Sequence, residues 1–424
     1  MMERRLAVFM GAQRAGTVEC SVRASSFTYD RDYLATRGAS PLSLSLPLRA
    51  GVHPPTVVDP FLWGLLPDNP ETLQRWAVLA SPQADEHNPF SLLQHYGRDC
   101  AGAVQFLPEG ERPDDAQGVL KVDDAAIGAQ LRALNADPNA WTFDGTDGRF
   151  SLAGAQAKFA LVEVDGGWAR AIGSTPTTHI VKPGIPKFRE QALNEHLCLA
   201  LARRSGLPAA HTQIRSFDGT HAIVVERYDR RVTPTGVERL HQEDLCQALS
   251  VSPSQKYQED GGPGIIDVAR LIRRAQPQDR ADATTHRYLL AVAFNWLIGA
   301  PDAHAKNYSL LVRGSAVALA PLYDIATITP YESFTPNTAR IAQAVDGKYR
   351  LAGIDAQSWH AQATAVGLDG AKFVDDVRAF ASRAADAVAS LCASPDVQAI
   401  DAPFAAELST ALQERIAVAQ LQLR

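Results

Sequence analysis

The sequence has 424 residues, 46% of them apolar and 21% charged, with 41 Lys and Arg against 47 Asp and Glu. Such a chain buries a large core, which excludes global disorder and predicts two or three structural units. A net charge of −6 supplies no overall basic field for nucleic acid, although it leaves room for a local basic patch. No run approaches the roughly eighteen apolar residues of a membrane span. Met1-Met2-Glu3-Arg4-Arg5 runs directly into Leu6-Ala7-Val8-Phe9 without a signal-peptide pattern, so a soluble, cytoplasmic chain with no membrane contact is expected. Cys20, Cys100, Cys198, Cys246 and Cys392 are odd in number, scattered, and never spaced C-x-x-C. They read as reduced structural residues, not as a disulfide framework or a zinc site.

In chain order, β-like runs at residues 6–10 and 43–48 alternate with helical stretches such as 72–79, which predicts a small α+β unit over residues 1–107. Pro108-Glu109-Gly110-Glu111-Arg112-Pro113-Asp114-Asp115 has the charge and proline content of a linker, and a boundary is placed there. After a helix at 123–134 comes a β-rich block: 158–164, a turn at Asp165-Gly166-Gly167, then 168–172 and 178–182. A helix at 189–205 interrupts it, with Leu193, Leu197 and Leu201 four apart and Gly206 as a stop signal. A strand at 222–228 closes this second unit, residues 108–228. From about residue 240 the pattern is helical apart from one hairpin at 308–312 and 316–321, so residues 229–424 form a mostly helical third unit.

The chemistry concentrates in Phe294-Asn295-Trp296-Leu297-Ile298-Gly299-Ala300-Pro301-Asp302-Ala303-His304-Ala305-Lys306-Asn307. An almost wholly apolar helix is stopped by Gly299 and Pro301, and a tight loop then presents Asp302, His304, Lys306 and Asn307. The spacing from Asp302 to Asn307 is the Asp-x-x-x-x-Asn of the protein-kinase catalytic loop, in which the Asp accepts the substrate hydroxyl proton and the Asn holds Mg²⁺. The hairpin that follows delivers Tyr323-Asp324-Ile325, so Asp324 takes the place of the metal-binding aspartate. Carboxylate and amide oxygens are the hard ligands Mg²⁺ prefers. Taken singly, each Asp reads as a helix cap or a turn residue; the ordered spacing favours the metal site.

The β-rich block supplies a nucleotide side in the same order. Ser151-Leu152-Ala153-Gly154-Ala155-Gln156-Ala157-Lys158 precedes a strand, where a phosphate-covering loop belongs, and its small residues let backbone N–H groups approach phosphate. It has one glycine instead of Gly-x-Gly-x-x-Gly, and an ordinary turn fits equally well. Lys182 ends the strand His179-Ile180-Val181 and suits a phosphate anchor; a surface lysine is the alternative. Its partner on the next helix is Glu195 or Glu190. Ile223-Val224-Val225-Glu226-Arg227-Tyr228 then reads as the hinge, whose main chain holds a base. His304 and His179 lack the partners of catalytic bases. Gly261-Gly262-Pro263-Gly264 is a connector or a lining of the site's mouth, and Arg203-Arg204, Arg230-Arg231 and Arg273-Arg274 are solvated faces or phosphate contacts.

At these residues the sequence resembles the HipA family, serine/threonine-kinase toxins of HipBA-type toxin–antitoxin modules, over essentially its whole length. The resemblance is carried by Pro41-Leu42-Ser43-Leu44-Ser45-Leu46-Pro47-Leu48, Leu65-Leu66-Pro67-Asp68, Gly97-Arg98-Asp99-Cys100-Ala101-Gly102-Ala103, Val225-Glu226-Arg227-Tyr228-Asp229-Arg230, Gln242-Glu243-Asp244 and the motifs above. It implies an α+β, two-lobed protein-kinase-like fold with an added N-terminal α+β subdomain, working with ATP and Mg²⁺. Asp302 would be catalytic and Asn307 and Asp324 the metal ligands. Ala153, Gly154, Ala155, Gln156, Lys158, Lys182, Glu226, Tyr228, His304, Lys306, Asn307, Tyr323 and Asp324 would surround the nucleotide, and Ser151 would be the autophosphorylated serine. The family further implies a HipB-like helix-turn-helix antitoxin, operator DNA reached through that complex, and an aminoacyl-tRNA synthetase, typically the glutamyl enzyme, as protein substrate. Competing readings are a catalytically silent co-repressor subunit and a small-molecule kinase.

Overall fold

The computed structural model describes residues 4–424 apart from 116, 142–149, 235, 332–334 and 336–337. Met1, Met2 and Glu3, on which the reading of the N-terminus partly rests, lie outside the described residues. An antiparallel sheet of order β4-β3-β2-β1-β5 opens the chain, built from β1 (Arg4–Met10), β2 (Gln13–Ser21), β3 (Ala24–Tyr29), β4 (Val52–His53) and β5 (Val104–Pro108). Helices α1 (Arg31–Ala35), α2 (Pro55–Gly64), α3 (Pro70–Ala80) and α4 (Pro89–Tyr96) accompany it. The last three begin on proline, and the Asn69 and Asn88 side chains cap α3 and α4 by accepting from Glu71 and Phe90 amides.

Residues 43–48 are not a strand. Ser43 and Leu46 meet only in an isolated bridge, and the Leu44 N–H goes to Glu243 Oε1 at 2.8 Å. Alternation of Leu42 and Leu46, both buried, produced the β-like period. The backbone is satisfied by a turn, serine hydroxyls and a glutamate in place of a neighbouring strand.

The second sheet has six strands in the order β10-β11-β9-β7-β8-β6: β6 (Gln117–Val122), β7 (Phe159–Val164), β8 (Gly167–Gly173), β9 (His179–Pro183), β10 (Thr212–Phe217) and β11 (Thr220–Glu226). α5 (Asp124–Ala136) precedes β7 and the almost wholly buried α6 (Gln191–Ser205) follows β9. Gly206, at φ 104°, ends α6, and the Leu207 N–H closes back on the Ala202 carbonyl at 2.9 Å. β6 is a mostly exposed edge strand with no apolar period, which is why sequence reading passed over it. One apolar core spans both sheets: Val8, Phe27, Leu66 and Trp76 share a cluster with Phe159 and Phe217.

Beyond residue 229 come the hairpin β12 (Arg230–Thr233) and β13 (Gly236–Arg239), then the three-stranded β14 (Gln242–Asp244), β15 (Ser309–Arg313) and β16 (Ala316–Leu319), and the pair β17 (Arg340–Val345) and β18 (Lys348–Arg350). Helices α7 (Leu245–Leu249), α8 (Ile265–Ala275), α9 (Gln278–Ile298), α10 (Ala356–Ala365), α11 (Gly370–Cys392) and α12 (Pro395–Gln422) make the rest. The expectation of one hairpin in this part is therefore corrected. β17 and β18 turn on Asp346 (φ 50°) and Gly347 (φ 74°), an Asp-Gly signal present in the sequence. α9 is the axis of the second core, with residues 291–298 all buried. Its end at Gly299 (φ 69°) is closed by the Ala300 N–H on the Asn295 carbonyl, and the loop of Asp302 starts there. All five cysteines are free and buried. No described helix is long and apolar enough to cross a membrane.

Candidate active site

A cavity of about 550 Å³ lies between the six-stranded sheet and the helical part, within the range of small-molecule sites. At its centre Lys182 Nζ, brought in by β9, donates to Glu195 Oε1 of α6 at 2.9 Å and to Asp324 Oδ1 at 2.8 Å. Lys182 and Glu195 are buried. Glu195, and not Glu190, is thus the lysine's partner; Glu190 turns to His221 at 3.4 Å. Burial opposes the charge on Lys182, but Asp324 and Glu195 outweigh it and raise its pKa. Burial likewise opposes ionisation of Asp324, and Lys182 and Lys158 nonetheless hold its carboxyl well below the usual range. Glu195 is raised, because burial exceeds the help from Lys182. Asp324 sits at φ 58°, an uncommon angle for a non-glycine residue and a mark of a constrained site.

The loop after α9 brings Asp302, His304 and Asn307 to the same cavity. Asn307 Nδ2 donates to the Asp302 carbonyl at 2.7 Å, which fixes the amide and leaves its oxygen for another partner. Asp302 is raised above its ordinary value by the protein around it and by the Asp324 charge, with Tyr257 acting the other way. Burial and the Lys256 charge push His304 down to about 4, so its imidazole is neutral near pH 7. Lys306 also borders the cavity, but its ammonium is committed to Asp68 at 3.3 Å and Asp244 at 3.4 Å.

On the opposite wall, Leu152, Ala153, Gly154, Ala155, Gln156 and Lys158 line the cavity. Gly154 has φ +100°, and a Cβ there would come 2.9 Å from Lys158 Nζ. Only glycine fits without strain. Lys158 Nζ donates to the Ala153 carbonyl at 2.7 Å, and burial and the nearby Lys182 bring its pKa down to about 8. Two buried ammonium groups facing one cavity suit a polyanion. Ser151 lies elsewhere: it is fully buried outside the cavity lining, with its Oγ donating to the Leu65 carbonyl at 2.6 Å. Glu226, Tyr228 and Tyr323 complete the cavity at its other end, where the two tyrosine rings lie 5.9 Å apart. The glycine loop at 261–264 is not among the lining residues; it packs behind Tyr257.

Two ionic knots, one half-buried and one buried, tie the N-terminal part to this site. Asp68 Oδ2 accepts from Lys256 at 2.9 Å, and the Asp68 N–H donates to the Gly154 carbonyl at 3.1 Å. Asp99 accepts from Arg230 (2.9 Å), Arg239 (2.9 Å), Arg227 (3.3 Å) and Thr177 Oγ1 (2.7 Å). Arg230 is therefore not part of a solvated face, as the sequence suggested, but one of three arginines round a buried carboxylate. Sequence reading missed Tyr257, Lys256 and the pairing of Asp99 with these arginines; Asp99, Arg227 and Arg230 lie in segments that carried the family resemblance, whereas Arg239, Lys256 and Tyr257 had no prior signal.

A lysine held by a helix glutamate, an aspartate and asparagine on one loop, and a second aspartate after a hairpin, all facing a cleft between a sheet and a helical lobe, define a two-lobed protein-kinase-like phosphotransferase. An α+β subdomain precedes its two lobes. Residues 6–107 match the HipA N-terminal domain, and residues 150–391 match the HipA-like C-terminal domain. The chain belongs to the HipA family of serine/threonine-protein kinase toxins. It is 30% identical to the serine/threonine-protein kinase toxin HipA of Shewanella oneidensis over 97% of this chain and 94% of that one. It is 38% identical to the putative kinase Y4mE of Sinorhizobium fredii over 81% of this chain and 80% of that one. The Shewanella oneidensis HipA chain, solved with HipB and its operator DNA, matches with a TM-score of 0.82 at 26% identity, covering 99% of this chain and 98% of that one.

Proposed function

We propose that this chain is an ATP- and Mg²⁺-dependent kinase of the cytoplasm that transfers the γ-phosphoryl group to a serine or threonine of a translation component, an aminoacyl-tRNA synthetase such as the glutamyl enzyme, and to its own Ser151. The observation that carries the reading is the chain Glu195–Lys182–Asp324 in the same cavity as Asp302 and Asn307. The donor chemistry fits the absent groups: one carboxylate and one amide oxygen, with room for phosphate oxygens, is what Mg²⁺ takes. Bound between Asn307 and Asp324, the ion would neutralise charge on the transferring phosphoryl group. Asp302 accepts the proton of the acceptor hydroxyl, Lys182 anchors the α/β-phosphates, Glu195 holds that lysine in place, and Gly154 lets the loop backbone approach. The hinge main chain at Glu226 and Tyr228 holds the base.

Ser151 must leave its burial beneath Leu65 before it can accept phosphate. Once modified it cannot return, because about −1.5 to −2 charges have no place in a fully buried site. Autophosphorylation would therefore expel the phosphate loop and silence the enzyme. A HipB-like antitoxin and, through it, operator DNA are the partners this family membership supports. The test is intact-protein and peptide mass spectrometry after incubation with Mg-ATP. Phosphate on Ser151 in the wild type, and none in Asp302→Asn, is expected. Equal absence from both, in material shown to be unphosphorylated and to bind ATP, refutes the autophosphorylation reading.

A further inference from the structure

Tyr257 touches the reacting end of the site from outside. It stands between two single 3-10 turns, Pro253–Gln255 and Gln258–Asp260, and its hydroxyl donates to Asp302 Oδ1 at 2.5 Å. Its placement is over-determined. The ring meets the His304 ring edge-on, with centroids 4.8 Å apart at 88°. The neighbouring Lys256 binds Asp68 through its ammonium and takes the Ala305 N–H on its carbonyl at 3.2 Å. Behind the ring, the Gly262 N–H donates to the Tyr257 carbonyl at 2.9 Å, and a Cβ on Gly262 would lie 2.1 Å from the Gln255 carbonyl oxygen. Burial and the contact with Asp302 keep the phenol protonated, hence a donor.

An acceptor alcohol has to bring its own O–H within hydrogen-bond reach of the carboxylate that takes its proton. Tyr257 already presents an O–H in that relation to Asp302. We infer that Tyr257 is a placeholder for the acceptor hydroxyl: a positioning residue that occupies the proton-accepting oxygen of Asp302 while no substrate is bound, denies it to water, and is displaced when a serine or threonine side chain enters. The inference rests on the reading of Asp302 as the base. Without the placeholder, water takes the vacated position. The bond from γ-phosphorus to the ADP oxygen then breaks, a bond to the water oxygen forms, and the water proton passes to Asp302 and on to solvent, giving ADP, inorganic phosphate and a proton.

The experiment measures steady-state Mg-ATP hydrolysis without protein acceptor, using the full-length wild type, Tyr257→Phe, Asp302→Asn and the double variant. Tyr257→Phe keeps the ring against His304 and removes only the hydroxyl. Hydrolysis by it should rise on the order of tenfold, the scale of losing one hydrogen bond to a charged group. The ATP KM should stay within about twofold, and the double variant should lose the gain. A merely structural tyrosine would give lower hydrolysis and a lower Tm instead. If Tyr257→Phe fails to bind ATP, Tyr257→Leu decides in its place. Hydrolysis unchanged or reduced in the substituted protein, while Asp302-dependent phosphorylation persists in the wild type, overturns the placeholder alone. ATP-bound wild type with no Asp302-dependent turnover of either kind overturns the reading of Asp302, and the placeholder with it.

Discussion

Glu243 lets one buried acid be weighed by titration. It is fully buried on β14, accepting from the Ser43 hydroxyl at 2.5 Å and the Leu44 N–H at 2.8 Å. Burial raises its pKa to about 8 from 4.5, against the help of those two bonds. A carboxyl whose folded pKa lies above its unfolded value takes up a proton on folding. Its stabilisation is therefore complete below about pH 4.5 and is lost as pH rises towards 8. At about 1.36 kcal/mol per unit, the loss over that window is at most ~5 kcal/mol. With an unfolding entropy of ~2.1 cal/mol/K per residue, a chain of this length melting as one unit loses ~5 °C. Glu243→Gln keeps an acceptor for Leu44 and removes the ionisation. The Tm of the variant minus that of the wild type should be near zero at about pH 5 and grow by several degrees by about pH 8.5. Melting followed by fluorescence at constant ionic strength gives the difference, in which other titrations cancel. Parallel curves across the window would refute the burial argument for this latch.

Asp99→Asn leaves buried Arg227 and Arg230 with Asp229 alone as countercharge and takes away the carboxylate paired with Arg239, and should cost ~3–5 kcal/mol, read as a lower denaturation midpoint. Gly154→Ala forces φ +100° on a residue with a Cβ and presses on Lys158. The strain of ~1–3 kcal/mol should weaken ATP binding about tenfold or more in a titration with a fluorescent nucleotide. Lys182→Met strands Glu195 in the core and removes the phosphate anchor; phosphotransfer should vanish and stability should fall by ~3 kcal/mol. If that variant instead keeps wild-type turnover, the assignment of Lys182 fails.

The parts of this molecule legible in the sequence are those with a local signature. The end of α9 at Gly299, the spacing from Asp302 to Asn307, the hairpin before Asp324 and the stop of α6 at Gly206 each follow from residues close in the chain. Facing was not legible, because choosing Glu195 over Glu190 requires knowing how α6 sits on the sheet. Nor were long-range charge pairings: Asp99 meets Arg230 and Arg239 across about 130 residues and more, and no local pattern reports a partner so distant. Leucine alternation at 42–46 misled for a related reason. Two buried leucines look alike to a periodicity argument whether a strand or a turn buries them.

Asp68 joins two loops that the chain keeps far apart, one carrying Gly154 and the other Lys306. The first hundred residues are thus no detachable accessory. Cutting the chain near Pro108 to obtain a minimal catalytic unit would open the apolar cluster that Val8, Phe27, Leu66 and Trp76 share with the six-stranded sheet, leave Lys306 and three arginines short of their countercharge, and remove the residue that joins both loops. In this chain the N-terminal sheet is a working part of the catalytic unit: the charges and loops of the cleft are held from residues on both sides of Pro108.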